Sequence, residues 1–412
     1  MTLPTINAVI NFSTGPSFAQ AMILDTGILG TNILADAASI IVDVSNQVDS
    51  ITTTRGRNAQ ADLFQTGSLS LRIVDQNGDF NPQNPNSPYY GLLTPLRKVQ
   101  ITASYGGTDY PIFSGFITSY TTTTPKTATD VVYTVITAVD AFRLFQNSQI
   151  TNVTLAAAGD LPGERVNAIL DEISWPASMR EIQYGDTIFQ ADPGTPRTAL
   201  AALQNASTSE YGAIYINARG SVELHDRAFC IESQALPPVR FNDDGSQITY
   251  FNAVWRLDDT QVYNSASITK IGGTAQIAEN QASIDEYFVH SYNQTNLVMD
   301  TDAAALNYAR AYVASRKDTR TRCDLIELDL YTDNYNAGIV AALNLDFFDP
   351  VEITTNQPGS STLTQTLQVF GVQHRVTPNS WKTSFTTLEP IIDGFILNST
   401  LYGVLGTSVL AY

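Results

Sequence analysis

"IVDQNGDFNPQNPNSPYYG", residues 73–91, lies between two runs of strand-like sequence. Its reading decides what surrounds it. Asp75, Asn77 and Asp79 place oxygen ligands at alternate positions, as a calcium loop does. The rest of that pattern is absent. Counted from Asp75, glycine falls at the fourth position (Gly78) instead of the sixth, and the twelfth position is Asn86 instead of a bidentate glutamate. The residues favour a turn: Asn77-Gly78 suits the φ > 0 positions of a hairpin, and the Pro/Asn string continues as a loop.

Composition limits what the chain can be. It has 412 residues, a formal net charge of −18 and only 15% charged residues. That length allows two to four domains and a sizeable core. A threonine-rich, lysine-poor chain favours strands. The charge argues against gripping nucleic acid, which needs clustered lysine and arginine. It is compatible with DNA sliding past without sticking. Cys230 and Cys323 form neither a disulfide framework nor a zinc site, and read as small buried hydrophobes. The start "MTLPTINAVINF" has no basic n-region and is not read as a signal peptide. No run of 18 apolar residues exists, so no membrane span is expected. The sequons at Asn152 and Asn293 are read as chance matches.

Short β-rich runs fill the first third: "ASIIVDVS", "VDSITTT" and "GSLSLRIVD". "KVQITASYGGTDYPIFSGFITSY" is the clearest hairpin, with Gly106-Gly107 at its tip. The middle is mixed. Val166, Ile169, Leu170 and Ile173 stand at helical spacing before Pro176. In "TPRTALAALQNAS", Thr195 is expected to cap a helix with Pro196 at its first position. "EYGAIYINARGSVELHDR" reads as two strands joined by a glycine turn. The last third adds a hairpin tipped by Gly272-Gly273, a helix capped by Thr301 with Leu306, Ala309, Tyr312 and Val313 on one face, a short helix in "NAGIVAALNL", and a closing hairpin across "TPNS".

Two internal echoes stand out. "PLRKVQIT…YPIFSGFITSY…VVYTVIT" parallels "FFDPVEIT…TLQVFGVQHRV…WKTSFTT", which suggests two related β-domains flanking a mixed insert. Residues 22–36 also echo 395–412. The fold class expected is mainly β with a mixed α+β insert: 1–150 as a first β domain, 151–250 as the insert, 251–390 as a second β domain, and 391–412 as a C-terminal interaction tail. That apolar, glycine-punctuated tail suits strands that pair with a neighbour. Packing within its own domain stays equally open.

A catalytic constellation is not apparent, and no enzyme activity, catalytic residue, cofactor or metal is expected. His225-Asp226 suits a general base, but a hydrogen-bonded surface pair is the better reading. The same holds for His374-Arg375. Asp171-Glu172 are helix neighbours that do not face each other and read as a solvated face. "TRGRN" (54–58) is a basic spot whose best reading is a salt bridge within or between chains.

The run from Arg55 to Tyr120 resembles minor tail proteins of long-tailed bacteriophages. The shared order is an R-G-R segment (Arg55–Arg57), a strand, an N-G-x-F-x-P-x-N turn (Asn77–Asn84), S-P-Y (Ser87–Tyr89), a P-x-x-x-V-x-I strand (Pro95–Ile101) and a Y-x-x-F-x-G-x-I strand (Tyr110–Ile117). Residues 210–227 and 369–390 resemble the family's mid-chain and closing hairpins. The resemblance implies two domains like the tail-tube subunit, in β-barrel or sandwich form. It implies a homotrimeric baseplate hub at the distal end of the virion tail, made in the host cytoplasm, that adapts a sixfold tube to a threefold tip. Its implied neighbours are the tail-tube or distal tail protein ring, the tape measure protein and further tip or fibre proteins, with DNA passing unbound. Two alternatives remain: a hexameric distal tail protein, and a sugar-binding adhesin using Tyr89-Tyr90 and Tyr331–Tyr335 as stacking platforms.

Overall fold

The computed structural model describes residues 3–12, 40–57, 63–123, 130–331, 336–356, 359 and 361–389. The echo between 22–36 and 395–412, and the tail at 391–412, lie outside them.

Six strands form a first set: β1 (Thr5–Asn11), β2 (Val48–Gly56), β3 (Gln65–Val74), β4 (Lys98–Tyr105), β5 (Thr108–Thr123) and β6 (Tyr133–Val139). Alternation sets their faces. In β3, Leu69, Leu71 and Ile73 are buried while Ser68, Ser70 and Arg72 face out. The strands lie side by side in the order β2-β3-β6-β5-β4-β1, all antiparallel. A mixed region follows, with α1 (Pro162–Glu172), α2 (Ala199–Glu210) and the hairpin of β7 (Ala213–Ile216) and β8 (Val222–His225). Then come β9 (Val239–Asn242), β10 (Asn252–Arg256), α3 (Asp302–Arg316), β11 (Arg322–Asp329), α4 (Ala337–Asn344), β12 (Pro350–Thr355), β13 (Leu363–Thr377) and β14 (Ser380–Leu388). These last six strands run β10-β11-β14-β13-β12-β9. Each strand of the first set thus has a counterpart eight places on. One difference is that β1 is antiparallel to β4, whereas β9 is parallel to β12.

The repetition reaches atomic detail. Leu96 and Phe348, just before β4 and β12, share a left-handed φ of 65° and 69°. Non-glycine residues seldom adopt it. The Leu96 N–H donates to Ile117 O and the Ile117 N–H to Arg97 O, both at 2.7 Å; Phe348 and Val369 repeat the pair at 2.9 and 3.0 Å. A register shift follows each, between Ile117 and Ser119 in β5 and between Val369 and Gly371 in β13. Val99 therefore corresponds to Val351, and the V-x-I-T echo is in register. The F-x-G echo is not. By these ladders Phe370-Gly371 corresponds to Thr118-Ser119, whereas Phe113-Ser-Gly115 faces β4 further up the strand.

The two sets are joined along one edge. β13 pairs with β12 through Leu363–Gln368; beyond the bulge, β2 takes over the same edge from Gly371 to Val376. Gly56 sits at this crossing with φ +111°, where a Cβ would lie 2.1 Å from Phe370 O and 2.6 Å from Gly371 Cα.

The hairpin expected at Asn77-Gly78 does not form, because β3 pairs with β2 and β6 and not with β4. Residues 75–90 instead make a chain of three-residue turns, with amides of Gly78, Asn81, Asn84, Ser87 and Tyr90 each bonded to the carbonyl three residues back, at 3.0–3.2 Å. Prolines 82, 85 and 88 follow the junction residues Asn81, Asn84 and Ser87. Their side-chain oxygens accept from the amides of Gln83, Asn86 and Tyr89. Only Gly78 of the Asn-Gly pair has positive φ.

The helix expected to begin at Pro196 begins at Ala199, capped by Thr198, whose hydroxyl accepts from the Ala201 amide at 3.1 Å. Arg197 and Thr198 are held extended by pairing with Ile150 and Gln149. Thr301 caps α3 as expected. Its inner face uses Tyr308 as well as Ala309, Tyr312 and Val313, and Leu306 is only half-buried.

Gly56→Ala is expected to destabilise the protein by more than about 2 kcal/mol, since both the φ and the backbone contact are forbidden to a side chain. Gly106→Asn, at φ 61° with open space around it, is expected to leave the midpoint within the error of a urea titration.

Candidate functional site

The joint between the two strand sets borders a cleft rich in charged residues. It measures about 520 Å³, and its walls include Arg55, Glu223, His225, Asp346 and His374. β2 delivers Arg55, the β7–β8 hairpin delivers Tyr215, Glu223 and His225, the turn after α4 delivers Asp346 and Phe347, and β13 delivers His374.

Arg55 is buried and its guanidinium reaches Asp346 at 2.9 Å. Its carbon Cζ lies 5.0 Å from the Phe347 ring centre. Arg57 packs over Phe370 at 4.3 Å and over Phe64 at 5.3 Å. Of the salt bridge within or between chains that the sequence suggested for the basic segment, Arg55 makes the one within the chain, spanning the two strand sets. Tyr215 and Phe347 of the lining join an aromatic cluster with Phe64, Phe348 and Phe370, many of whose ring centres are 5.0 Å apart.

His225 is buried, which corrects the surface-pair reading. Its Nε2 lies 2.8 Å from the Tyr215 hydroxyl and 3.1 Å from a Glu223 oxygen, and its ring stacks on Phe229 at 3.7 Å. Asp226 does not pair with it; Asp226 caps the next helix by accepting from the Phe229 amide at 2.8 Å. Alternation alone puts His225 on the same strand face as Glu223, a signal available in "VELHD". Burial opposes ionising Glu223, but hydrogen bonds to His225, Tyr215 and Asn217 hold its carboxyl below its usual range. His374 is also buried. Its Nδ1 lies 3.0 Å from Thr383 Oγ1 and 3.4 Å from the Trp381 indole N–H. Burial, with Arg55 nearby, pushes its pKa down to about 3, so the ring is neutral.

The remaining candidates disperse. Asp75 accepts from the amides of Asp79 and Phe80 at 2.7 and 3.1 Å and from the Thr134 hydroxyl at 2.7 Å, which spends its lone pairs on the turn chain. Among the described residues no cluster of three or more His, Cys, Asp or Glu could hold a metal, and no helix is long and apolar enough to cross a membrane. Asp171 pairs with Arg180 at 2.7 Å and Glu172 accepts from Thr154 at 3.3 Å. Cys230 and Cys323 are buried and unpaired as disulfides. Tyr89 is packed between Phe12 and Phe80, at 5.5 and 5.1 Å, while Tyr90 is exposed. The Tyr331 hydroxyl donates to Pro378 O at 3.4 Å; residues 332–335 lie outside the described set.

Two further carboxyls matter for pH. Burial lifts Asp140 to about 7 against hydrogen bonds from the amides of Gly67 and Phe142, and lifts Asp349 to about 6. A raised acid holds its proton more tightly in the folded state, so stability falls as pH climbs from its unfolded value near 3.8 through the folded one. A depressed histidine does the reverse, losing stability as pH falls from about 6.5 toward 3. Each slope is about 1.4 kcal/mol per pH unit where it acts fully, and between about pH 4 and 6 they oppose. Relative to the parent, Asp140→Asn is therefore expected to lose melting temperature as pH falls through this range. His374→Asn, which keeps an acceptor for Thr383 and Trp381, should gain it relative to the parent as pH falls. Melting curves of both variants and the parent across this range check the signs.

No protein-family model matches the chain, and no curated protein matches it in sequence. Solved structures do share its fold. A tail protein from Neisseria meningitidis MC58 is 10% identical, with a TM-score of 0.56 over 94% of this chain and 97% of its own. The 43 kDa tail protein of prophage MuSo2 from Shewanella oneidensis is 10% identical, with a TM-score of 0.52 over 85% of this chain and 96% of its own. The chain thus has, over nearly its whole length, the mainly β fold of these two tail proteins.

Proposed function

We propose that the chain is a structural component of a bacteriophage tail. In this reading three copies form a hub ring at the distal end, which continues the tail tube, adapts its sixfold symmetry to a threefold tip and lets DNA pass. The observation that carries the reading is the doubled six-strand unit, alike down to the left-handed corners at Leu96 and Phe348. Three chains with two units each present six near-equivalent units in a closed ring. The likeness in fold to two tail proteins supports it. A hexameric distal tail protein needs one unit per chain, and the doubling speaks against it. An adhesin built on Tyr89-Tyr90 loses its platform, because Tyr89 is packed against Phe12 and Phe80.

In domain terms, 1–150 and 251–390 are the two tube-like parts, 151–250 the insert between them, and 391–412 the tail that engages neighbours. Those neighbours are the tail-tube or distal tail ring, the tape measure protein and further tip or fibre proteins. A surplus of 40 acidic over 22 basic residues suits a wall past which DNA moves.

Native mass spectrometry of the assembled ring is expected to give three copies; six copies would sink the hub in favour of the distal tail protein. Double-stranded DNA should bind no better than weakly, and tight binding that weakens steeply with salt would overturn the passive channel. A chain ending at residue 390 is expected to keep its melting transition yet fail to join the tail; infectious particles carrying it would dismiss the tail's role.

A further inference from the structure

β2 fills the edge of β13 beyond the bulge, and among the described residues no strand fills the counterpart of that edge. In β5 the pairing with β4 ends at Phe116. From Ser119 to Thr123 β5 pairs only with β6, on its other side, among the described residues. The strand that corresponds to β2 is β10, and among the described residues it pairs only with β11. The described residues therefore carry both halves of a second joint, an edge without a strand and a strand without a second edge. Unpaired edges of this kind invite another chain. The apolar surface agrees. Leu96, beside the vacant edge, is 52% exposed, whereas its counterpart Phe348, beside the filled one, is 1% exposed. Phe251 and Leu257, immediately before and after β10, are 57% and 64% exposed.

We infer that β10 of one copy adds antiparallel to residues 119–123 of β5 in a second copy of this chain, repeating between chains the β2–β13 joint within each. The ladders fix the register. Thr52 faces Arg375 in the joint. Thr52 and Val254 correspond, since they face Ser70 and Leu325, which face Thr137 and Thr386, which face Ser119 and Gly371. Four residues on from Ser119 and Gly371 stand Thr123 and Arg375. Val254 of one copy therefore faces Thr123 of the next. The contact is head-to-tail, so it either closes into a ring or runs on. It rests on the proposed hub only for the number of copies.

The corner beside the new contact is Thr94-Pro95-Leu96, where the old one has Asp346-Phe347-Phe348. No acid waits there for an arginine, and Arg256 is already engaged by Asp324 at 3.2 Å. The joint between chains therefore rests on main-chain pairing and apolar burial, and lacks the ion pair of the joint within a chain.

Cysteine cross-linking tests the pairing, because native Cys230 and Cys323 are buried. Full-length Val254→Cys and Thr123→Cys proteins, mixed in equal amounts and treated with a short bismaleimide, are expected to give a covalent dimer containing one of each. The double variant should give a ladder ending at trimer. Val254→Cys mixed with Thr108→Cys, at the far end of β5, should give none. A trimer in native mass spectrometry without the cross-link overturns the pairing and spares the ring of three. A ladder that runs past trimer spares the pairing and overturns the ring of three. A link formed only within one chain, or monomers throughout with no link, overturns the inference.

Discussion

One close approach governs this molecule: the backbone of Gly56 laid against that of Phe370 and Gly371. There is no room for a side chain at that point. The approach exists because β13 bulges where β12 leaves it, turning the strand so that a second partner can continue the same edge. Arg55 and Arg57 flank the glycine and carry it into place. One is held by Asp346 and Phe347, the other by Phe64 and Phe370. Without this crossing the fourteen-stranded sheet of the described residues falls into two.

A buried ion pair is a weak source of stability, since desolvation offsets much of the attraction. Its better use is in choosing a partner. Arg55 finds Asp346 across 291 residues of sequence, and β2 has two candidate edges of the same shape in its own chain, one on β13 and one on β5. Only the corner before β12 offers an acid and two phenylalanines. The corner before β4 offers Thr94-Pro95-Leu96. A wrong choice would bury Arg55 with no counter-charge, which costs far more than the pair gains.

Much of this was legible in the sequence where local chemistry decides. Alternation gave the strands, Gly106-Gly107 the hairpin, and Thr301 a helix start. V-x-I-T marked the repeat because its strand lies in the core of both units, with Val99, Ile101, Val351 and Ile353 fully buried. The middle strand misled because its glycines answer different demands: Gly115 makes room for the carbonyl of Val139, whereas Gly371 lies against Thr386 and beside the crossing. A helix start moved from Pro196 to Ala199 because a two-residue bridge to a distant strand outbid the local cap. The turn chain at 75–90 could have been found from its three-residue spacing of Asn-Pro, Asn-Pro and Ser-Pro. The burial of His225 could not, because what covers it comes from Phe229 and from Phe348, over a hundred residues on.

The β2–β13 pairing also sets an order of events during biosynthesis. Ile51 pairs with Val376 and Gly56 with Gly371, so more than 300 residues must follow β2 off the ribosome before its edge can be covered. At roughly 5–20 residues per second that is about 15–60 s. For that interval the nascent first half displays an uncovered edge that fits the last strands of another copy, until those pair with their own β2, as well as its own. Chains made close together on one message can therefore exchange these strands, and a ring assembled that way would be interlocked by domain swapping.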